Sequence, residues 1–256
     1  MLLLDDVGVA VELPQAPTRV VSLVPSLTEA LALTVPTRVV GATEWCTHPE
    51  DLDVARVRGT KNPDHRAIGR LCPDLVVANR EENRRVDVER LRAAGIPVWV
   101  TVTESVDQAL RALQRLCVDV LCVDEPAWLT RAGEVWDGPV ELPPATVVVP
   151  IWRDPWMVVG ARTFTGDLIA RLGLGHLYGD SPDRYPKVGL EDLRQRGPDL
   201  VILPDEPYAF AGDDGPEAFP GLTTVLVPCR SLTWYGPSMV EARSVLTDRI
   251  ASALSA

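Results

Sequence analysis

The sequence predicts an α/β protein built from two βα lobes with mostly parallel central sheets. Short runs rich in β-branched residues alternate with helical patterns along the chain, which is typical of parallel βα units. The motif PDLV also occurs twice, at 73–76 and 198–201, and each copy leads into an apolar pair and an acidic loop. The repeat indicates two lobes of similar construction.

The periodicity predicts each element in chain order. We predict strands at 20–24, 38–42, 74–78, 97–102, 146–151, 199–203 and 223–227. We predict helices at 26–34, 66–71, 84–94, 105–117, 126–136, 165–172, 190–196 and 238–254. Two of these helix starts, Ser26 with Glu29 and Ser105 with Gln108, fit the capping box, in which two side chains satisfy backbone N–H groups reciprocally.

These elements predict three parts of the chain. They are an N-terminal α/β lobe (1–104), a helical linker between the lobes (105–144) and a C-terminal α/β lobe (145–256). The linker restarts at Pro126, since proline suits a first helical turn, and the boundary falls in the proline-rich segment 137–144. Because open α/β sheets bind ligands at the carboxyl ends of their strands, we expect a ligand cleft between the lobes.

Composition excludes several classes of partner. The formal net charge of −11 argues against nucleic acid and anionic membranes, which both need a basic surface. No apolar run is long enough to span a membrane. Only three leucines precede Asp5 and Asp6, with no basic residue before them, so no secretory signal is predicted. Together with an odd number of cysteines and no CxxC motif, this predicts a cytoplasmic protein with free thiols.

Aromatic residues gather on the loops that follow the predicted strands. Loops rarely bury large aromatic side chains, so several at the same ends of strands predict an apolar wall for a large planar ligand. The candidates are Trp45, Trp152, Trp156, Tyr208, Trp234 and Tyr235.

Polar residues on the same loops are candidate ligand contacts. Ser26 opens a helix, where free N–H groups favour an anionic group, although it also reads as a plain N-cap. Arg80 lies in a charged loop that is otherwise a solvated surface. Arg153 and Asp154 either meet polar edges of the ligand or pair with each other, and Glu206 lies on a third loop.

Direct metal binding and catalysis remain alternatives. Cys46 and His48 alternate with Glu44 in TEWCTHPED, and all three are metal-ligand types, but the further ligands have no matching spacing. No P-loop, GxSxG or HExxH motif is present, so we expect no enzyme. The competing hypothesis uses Cys46 and His48 with Asp154 or Glu206 as acid, base or metal ligands.

Nearly the whole chain resembles one known family. The segments RVVSLVPSLTEALAL, VVGATEWCTHPED and LCPDLVVANREEN, and later WMVVGARTFTGDLIARLGL, PKVGLEDLRQRGPDLVIL and LTWYGPS, resemble cobalamin-binding proteins. These belong to the helical-backbone class of substrate receptors for ABC importers, whose relatives bind siderophores, haem or metal ions. The resemblance implies two α/β lobes joined by a helix, a monomer, and a corrinoid ligand first, or haem or another chelate second, against the aromatic loops.

Three departures from the family bear on transport. Family members are exported or lipid-anchored, whereas no export signal is predicted for this chain. Family members also dock on the importer through one carboxylate per lobe, on the short helix before each PDLV strand. Glu191 fills that position in the second lobe, but Arg66 stands in the first, where it would repel the importer's arginine. Helix 126–136 is also short, at about 17 Å.

These departures predict a non-catalytic binding protein that is no longer coupled to an importer. The alternatives are an importer receptor, should an export signal precede this sequence, and a ligand-dependent sensor or chaperone.

Overall fold

The computed structural model describes residues 1–138, 140 and 142–255. The chain divides into two compact units. The N-terminal lobe comprises Met1–Thr103, Asp107–Ala132 and Tyr235–Pro237, and the C-terminal lobe comprises Glu104–Val106, Gly133–Trp234 and Ser238–Ala256. The segment 105–144, predicted as a separate linker, is therefore shared by the two units, and its predicted boundary at 137–144 falls partly outside the described residues.

The first half of the chain forms nine strands and five helices among the described residues. The strands are β1 Leu2–Leu4, β2 Ala10–Glu12, β3 Val20–Ser22, β4 Val39–Ala42, β5 Ala55–Arg56, β6 Arg58–Gly59, β7 Asn62–Pro63, β8 Leu75–Asn79 and β9 Val98–Thr101. The helices are α1 Pro25–Thr34, α2 His65–Arg70, α3 Arg85–Ala93, α4 Val106–Gln114 and α5 Ala127–Trp136.

A five-stranded parallel sheet in the order β5-β4-β3-β8-β9 forms the core of the N-terminal lobe. Every residue of β3, β8 and β9 is buried, which explains why these strands read as continuous apolar runs rather than alternating ones. At the carboxyl end of β8, Asn79 donates to the hydroxyls of Thr101 at 3.1 Å and Thr103 at 3.2 Å. This buried bonding fixes the start of the loop that carries Arg80.

The second half of the chain forms six strands and four helices among the described residues. The strands are β10 Thr146–Val148, β11 Pro150–Trp152, β12 Met157–Val158, β13 Gly175–His176, β14 Leu200–Pro204 and β15 Thr224–Val227. The helices are α6 Phe164–Arg171, α7 Leu190–Gln195, α8 Cys229–Leu232 and α9 Met239–Leu254.

The core of the C-terminal lobe is a four-stranded parallel sheet in the order β13-β10-β14-β15. The strand predicted at 146–151 is split in two, because Pro150 has no N–H to continue the parallel ladder. After it, β11 pairs antiparallel with β12 in a hairpin. This hairpin carries Trp152 beyond the edge of the sheet.

The helical segment after β9 is interrupted, as predicted. α4 ends at Gln114 and passes into a π-helix over Arg115–Val120, in which the N–H of Leu121 donates to the carbonyl of Leu116 at 2.9 Å. The chain then runs without helix until α5 begins at Ala127. The remaining predicted helices are present with shifts of one or two residues at their ends.

Candidate functional site

Trp156 is an internal support of the C-terminal lobe rather than a surface residue. It is only 7% exposed. Its ring stacks on Phe210 with centroids 6.0 Å apart and meets the edge of Phe219 at 5.2 Å. Two other aromatic rings pack against Trp156, and its contact with a ligand stays a prediction.

Trp152, four residues earlier, is the exposed member of the same region. Its side chain is 44% exposed, and its ring makes an edge contact with Tyr208 at 5.8 Å and 82°. Tyr208 in turn packs against Phe210 at 4.7 Å. The rings of Trp152, Tyr208, Phe210, Trp156 and Phe219, here called the aromatic cluster, therefore connect an exposed indole to the core of the lobe.

Arg153 joins the aromatic cluster to an acidic loop. Its guanidinium forms ion pairs with Asp214 and, at 2.8 Å, with Glu217, and it lies over the ring of Trp156 at 5.4 Å from the centroid. Hydrogen bonding to Glu217, followed by Asp214, raises the pKa of Arg153, and the same contact with Arg153 lowers the pKa of Glu217. Arg153 is therefore held in place before any ligand arrives.

Asp154 contributes little to this arrangement. The predicted Arg153–Asp154 pair is long, at 3.9 Å, and the Asp154 side chain is 89% exposed. The acidic partner of Tyr208 is instead Asp214, whose Oδ2 accepts the phenol O–H at 2.7 Å. This hydrogen bond is the main reason that the pKa of Tyr208 is raised. Glu206, on the same loop as Tyr208, is exposed.

The other predicted aromatic contacts of the second half are buried. Trp234 is 8% exposed and Tyr235 is 4% exposed. Tyr235 belongs to the N-terminal unit, and complete burial raises its pKa far above the usual value. The broad exposed aromatic wall predicted from the sequence is therefore reduced to Trp45 and Trp152, with Tyr208 half-buried beside the latter.

Trp45 is the exposed tryptophan of the N-terminal lobe. It is 64% exposed and lies against the β6–β7 hairpin, where the N–H of Glu44 donates to the carbonyl of Arg58 at 2.8 Å. A Cβ at Gly59 would come within 3.0 Å of the indole Nε1. The indole therefore rests on a position where only glycine leaves room for it.

Cys46 and His48 do not form a common site. Cys46 is fully buried, and its Sγ is hydrogen-bonded to the hydroxyls of Thr28 at 3.0 Å and Thr43 at 3.1 Å. Burial raises the pKa of the Cys46 thiol, which disfavours the thiolate that a metal needs. His48 is half-buried and its Nδ1 bonds Thr47 at 3.1 Å. The prediction that Cys46 faces a ligand is therefore corrected.

The described residues contain no group of three or more His, Cys, Asp or Glu side chains placed to hold a metal ion.

Ser26 is not an N-cap. α1 begins one residue earlier, at Pro25, and its N-cap is Val24 without a side-chain cap, because proline is pre-organised for the first helical turn. Ser26 is 3% exposed, so its hydroxyl is not presented at the surface. Arg80, in contrast, is exposed, and its backbone N–H donates to the carbonyl of Thr101 at 3.0 Å.

The two residues aligned as docking positions occupy equivalent places. Arg66 is the second residue of α2 and Glu191 the second residue of α7, and both are exposed. Glu191 interacts along its own helix with Arg194 at 3.7 Å and Gln195 at 3.2 Å. Opposite charges therefore stand at the same position of the two lobes.

Sequence reasoning missed the residues that hold Trp152 and Arg153 in place. No pattern in the sequence singled out Phe210, Phe219, Asp214 or Glu217. The available signal was the density of carboxylates in DDGPE, two residues after the aromatic YAF. An acidic segment beside an aromatic loop with one arginine opposite would have suggested the ion pairs.

Among the described residues, no helix is both long and apolar enough to cross a bilayer. No protein-family profile matches the chain. In sequence, it is 24% identical over 253 residues to a vitamin B12-binding protein of Yersinia pestis, which covers 93% of this chain and 88% of that protein.

Solved structures match over most of their length. A periplasmic vitamin B12-binding protein of Vibrio cholerae superposes with a TM-score of 0.76 at 17% identity, covering 94% of this chain and 98% of that one. A periplasmic haem-binding protein in complex with two haems superposes with a TM-score of 0.75 at 23% identity, covering 93% and 99%. The predicted resemblance is confirmed: the chain is similar in sequence to vitamin B12-binding proteins, and it shares its fold with periplasmic vitamin B12-binding and haem-binding proteins.

Proposed function

We propose that this chain binds a large conjugated metal chelate, a corrinoid before a haem, and catalyses no reaction on it. Its relatives named in the comparisons bind vitamin B12 or haem. Among the described residues, no group of three or more His, Cys, Asp or Glu side chains is placed to hold a metal ion. Binding by stacking and area burial is the function that these surfaces support best.

The observation that carries the proposal is the exposed face of Trp152 on the aromatic cluster. Tyr208 already restricts the Trp152 side chain. The side chain therefore loses little conformational entropy when a flat ring system covers it. Covering such a face contributes about 2 kcal/mol at ~25 cal/mol per Å². Trp45 offers a second exposed indole in the other lobe, and we propose it as a further contact.

The need of haem iron for an axial ligand from the protein favours a corrinoid over haem as the ligand of this chain. Haem iron in proteins is held by an axial His, Cys, Met or Tyr side chain. The phenol of Tyr208 is engaged by Asp214, and the three histidines of the chain, His48, His65 and His176, lie outside the aromatic cluster. A corrinoid that carries its own axial ligand needs none from the protein.

Titration with cyanocobalamin, cobinamide and haem, followed by visible absorbance and tryptophan fluorescence, tests the proposal. We expect one of the corrinoids to bind with a Kd below about 10 μM and Trp152→Ala to weaken it at least tenfold, about 1.4 kcal/mol. Trp152→Phe keeps an aromatic face and should retain most of the affinity. Trp128→Phe is the matched control, because Trp128 donates to Thr34 Oγ1 and is neither a member of the aromatic cluster nor part of the Trp45 loop.

Failure of all three ligands to bind below about 100 μM would reject the proposal. The catalytic alternative would return if purified protein held a stoichiometric metal that Cys46→Ser and His48→Ala abolished. The burial of Cys46 weighs against that outcome.

Uncoupling from an importer and cytoplasmic location remain predictions. Arg66, exposed at the docking position of α2, supports the first. The structural relatives named above are periplasmic proteins, so location is decided by fractionating cells that express the complete reading frame. Light scattering tests the expected monomer of 27.9 kDa.

A further inference from the structure

The surface formed by α2, α3 and β6 is rich in arginine, although the chain as a whole is acidic. Residues 1–103 carry 12 basic and 14 acidic side chains, whereas residues 104–256 carry 13 and 22. Within the first set, five arginines lie on this surface. We call it the arginine face, and its members are Arg58, Arg66, Arg70, Arg84 and Arg90.

Three of these arginines surround the start of α2. Asp64 is the N-cap of α2, and its Oδ1 accepts the N–H of Ala67 at 2.9 Å. That hydrogen bond, with the nearby charges of Arg58 and Arg70, lowers the pKa of Asp64. The Asp64 carboxylate is therefore already occupied by the backbone of α2. Arg66 and Arg70 are exposed and form no ion pair among the described residues.

The other two arginines belong to the start and middle of α3, which packs on α2. Asp87 is completely buried and lies 3.2 Å from Nε2 of His65, which ties the two helices together. Its second oxygen accepts from Arg84, the N-cap of α3, at 2.7 Å, and Arg90 stands 3.9 Å away. A buried carboxylate thus holds the arginine side chains in place and leaves positive charge outward.

The corresponding helix of the C-terminal lobe has no such excess. On α7, Glu191 lies 3.7 Å from Arg194 and Asp192 lies 3.2 Å from Arg196. Its charges therefore neutralise one another along the helix. The arginine face is a property of the N-terminal lobe and not a general property of the short helices.

We propose that the arginine face is a docking surface for a carboxylate-rich patch on a partner protein. Arginine binds carboxylates with two parallel hydrogen bonds, and all five members of the face are arginines. Charges beyond about 8 Å are screened at physiological salt. A compact acidic patch would therefore meet the local positive charge, whereas an extended anionic membrane or nucleic acid would also meet the surplus of carboxylates elsewhere on the chain.

Short poly-L-glutamate, immobilised on a sensor surface, is the probe for this proposal. We expect the full chain to bind it at about 50 mM NaCl and to dissociate at about 0.5 M, since such contacts are screened. Arg66→Glu should weaken binding about tenfold, and Arg70→Glu, one turn further along α2, should act similarly. Arg111→Glu is the matched control, because Arg111 is an exposed, unpaired arginine on α4 in the same lobe. It should change binding less than about twofold.

Three results would overturn the proposal. These are no binding of poly-L-glutamate at low salt, equal losses for Arg66→Glu and Arg111→Glu, and stronger binding to phosphatidylglycerol vesicles than to poly-L-glutamate. Urea unfolding of each variant separates a lost contact from a lost fold, and two independent arginine positions guard against a local defect in one. Corrinoid binding should be unchanged in Arg66→Glu, so the two proposals succeed or fail separately.

Discussion

The two lobes each expose one tryptophan, but they support it in opposite ways. Trp152 in the C-terminal lobe is braced by Tyr208, which is itself fixed by Phe210 and by a hydrogen bond to Asp214. Trp45 in the N-terminal lobe rests on Gly59, where a missing side chain makes the room. Trp152 is positioned by contacts with other side chains, whereas Trp45 is accommodated because Gly59 has no side chain. Mutations should therefore damage the two supports by different physical routes.

Trp156→Ala should produce the largest effect, because it removes a buried ring of the aromatic cluster that contacts both Phe210 and Phe219. Loss of a buried indole creates a cavity, and we expect the free energy of unfolding to fall by about 3–5 kcal/mol. Trp45→Ala, at a side chain that is 64% exposed, should cost less than about 0.5 kcal/mol. Urea unfolding followed by circular dichroism measures both, and equal losses would contradict the contrast between the lobes.

Arg153→Ala should have the next largest effect on stability. The change leaves Asp214 and Glu217 facing each other without their shared cation. Both carboxylates are nearly half exposed, so water compensates in part and the expected loss is about 1–2 kcal/mol. Asp154→Ala serves as the control in the same loop and should be neutral. A stability loss in the control as large as that in Arg153→Ala would show that the loop backbone, not the ion pairs, is responsible.

Gly59→Ala tests the support of the N-terminal lobe. The new Cβ would lie 2.6 Å from Oδ1 of Asn62 and 3.0 Å from Nε1 of Trp45, so both side chains must shift. We expect a loss of about 1 kcal/mol and easier acrylamide quenching of Trp45, measured in a Trp152→Phe background. Gly69→Ala, where no heavy atom lies within 4 Å of the added Cβ, should leave the quenching unchanged and should not lower the free energy of unfolding, because alanine favours the helix more than glycine does. Unchanged quenching in Gly59→Ala would mean that Gly59 does not position the indole.

The smallest expected effect is a pH dependence of the free energy of unfolding that arises from His176 in the C-terminal lobe. Burial lowers the pKa of His176, and its Nδ1 accepts the N–H of Tyr178 at 3.1 Å. The unfolded chain therefore takes up a proton at a higher pH than the folded chain, and the free energy of unfolding should fall as the pH drops below about 6.5. His176→Asn should flatten this slope, while His48→Asn should preserve it. A slope that survives in His176→Asn would assign the effect to another group.

The positions of the buried strands were predictable, because buried parallel strands are continuous runs of apolar residues in the sequence. β3, β8 and β14 appear where such runs stand, within one or two residues. The hairpins β1–β2 and β6–β7 were missed, since elements of two or three residues are too short to show a period.

The site was less predictable because it depends on contacts between distant segments. Nothing local distinguishes Trp152 from Trp156; the difference comes from Phe210 and Phe219, which cover only one of them. Cys46 looked like a ligand because its loop is polar, yet Thr28 of α1 closes over its sulfur. Which side of a loop faces inward is decided by partners that the loop's own sequence does not contain.

Each of the two units is built from several segments of the chain, which limits where the sequence can be divided into fragments that fold. Residues Tyr235–Pro237, near the end of the chain, belong to the first unit, and Glu104–Val106 belong to the second. At Gly236 a Cβ would lie 3.1 Å from the carbonyl oxygen of Ser26, so this late segment fits closely against α1. A fragment ending at residue 104 or 144 would lack Tyr235–Pro237, and the remaining fragment would contain these three residues without the unit to which they belong. The two lobes are similar in construction, but neither is a single continuous segment of the chain.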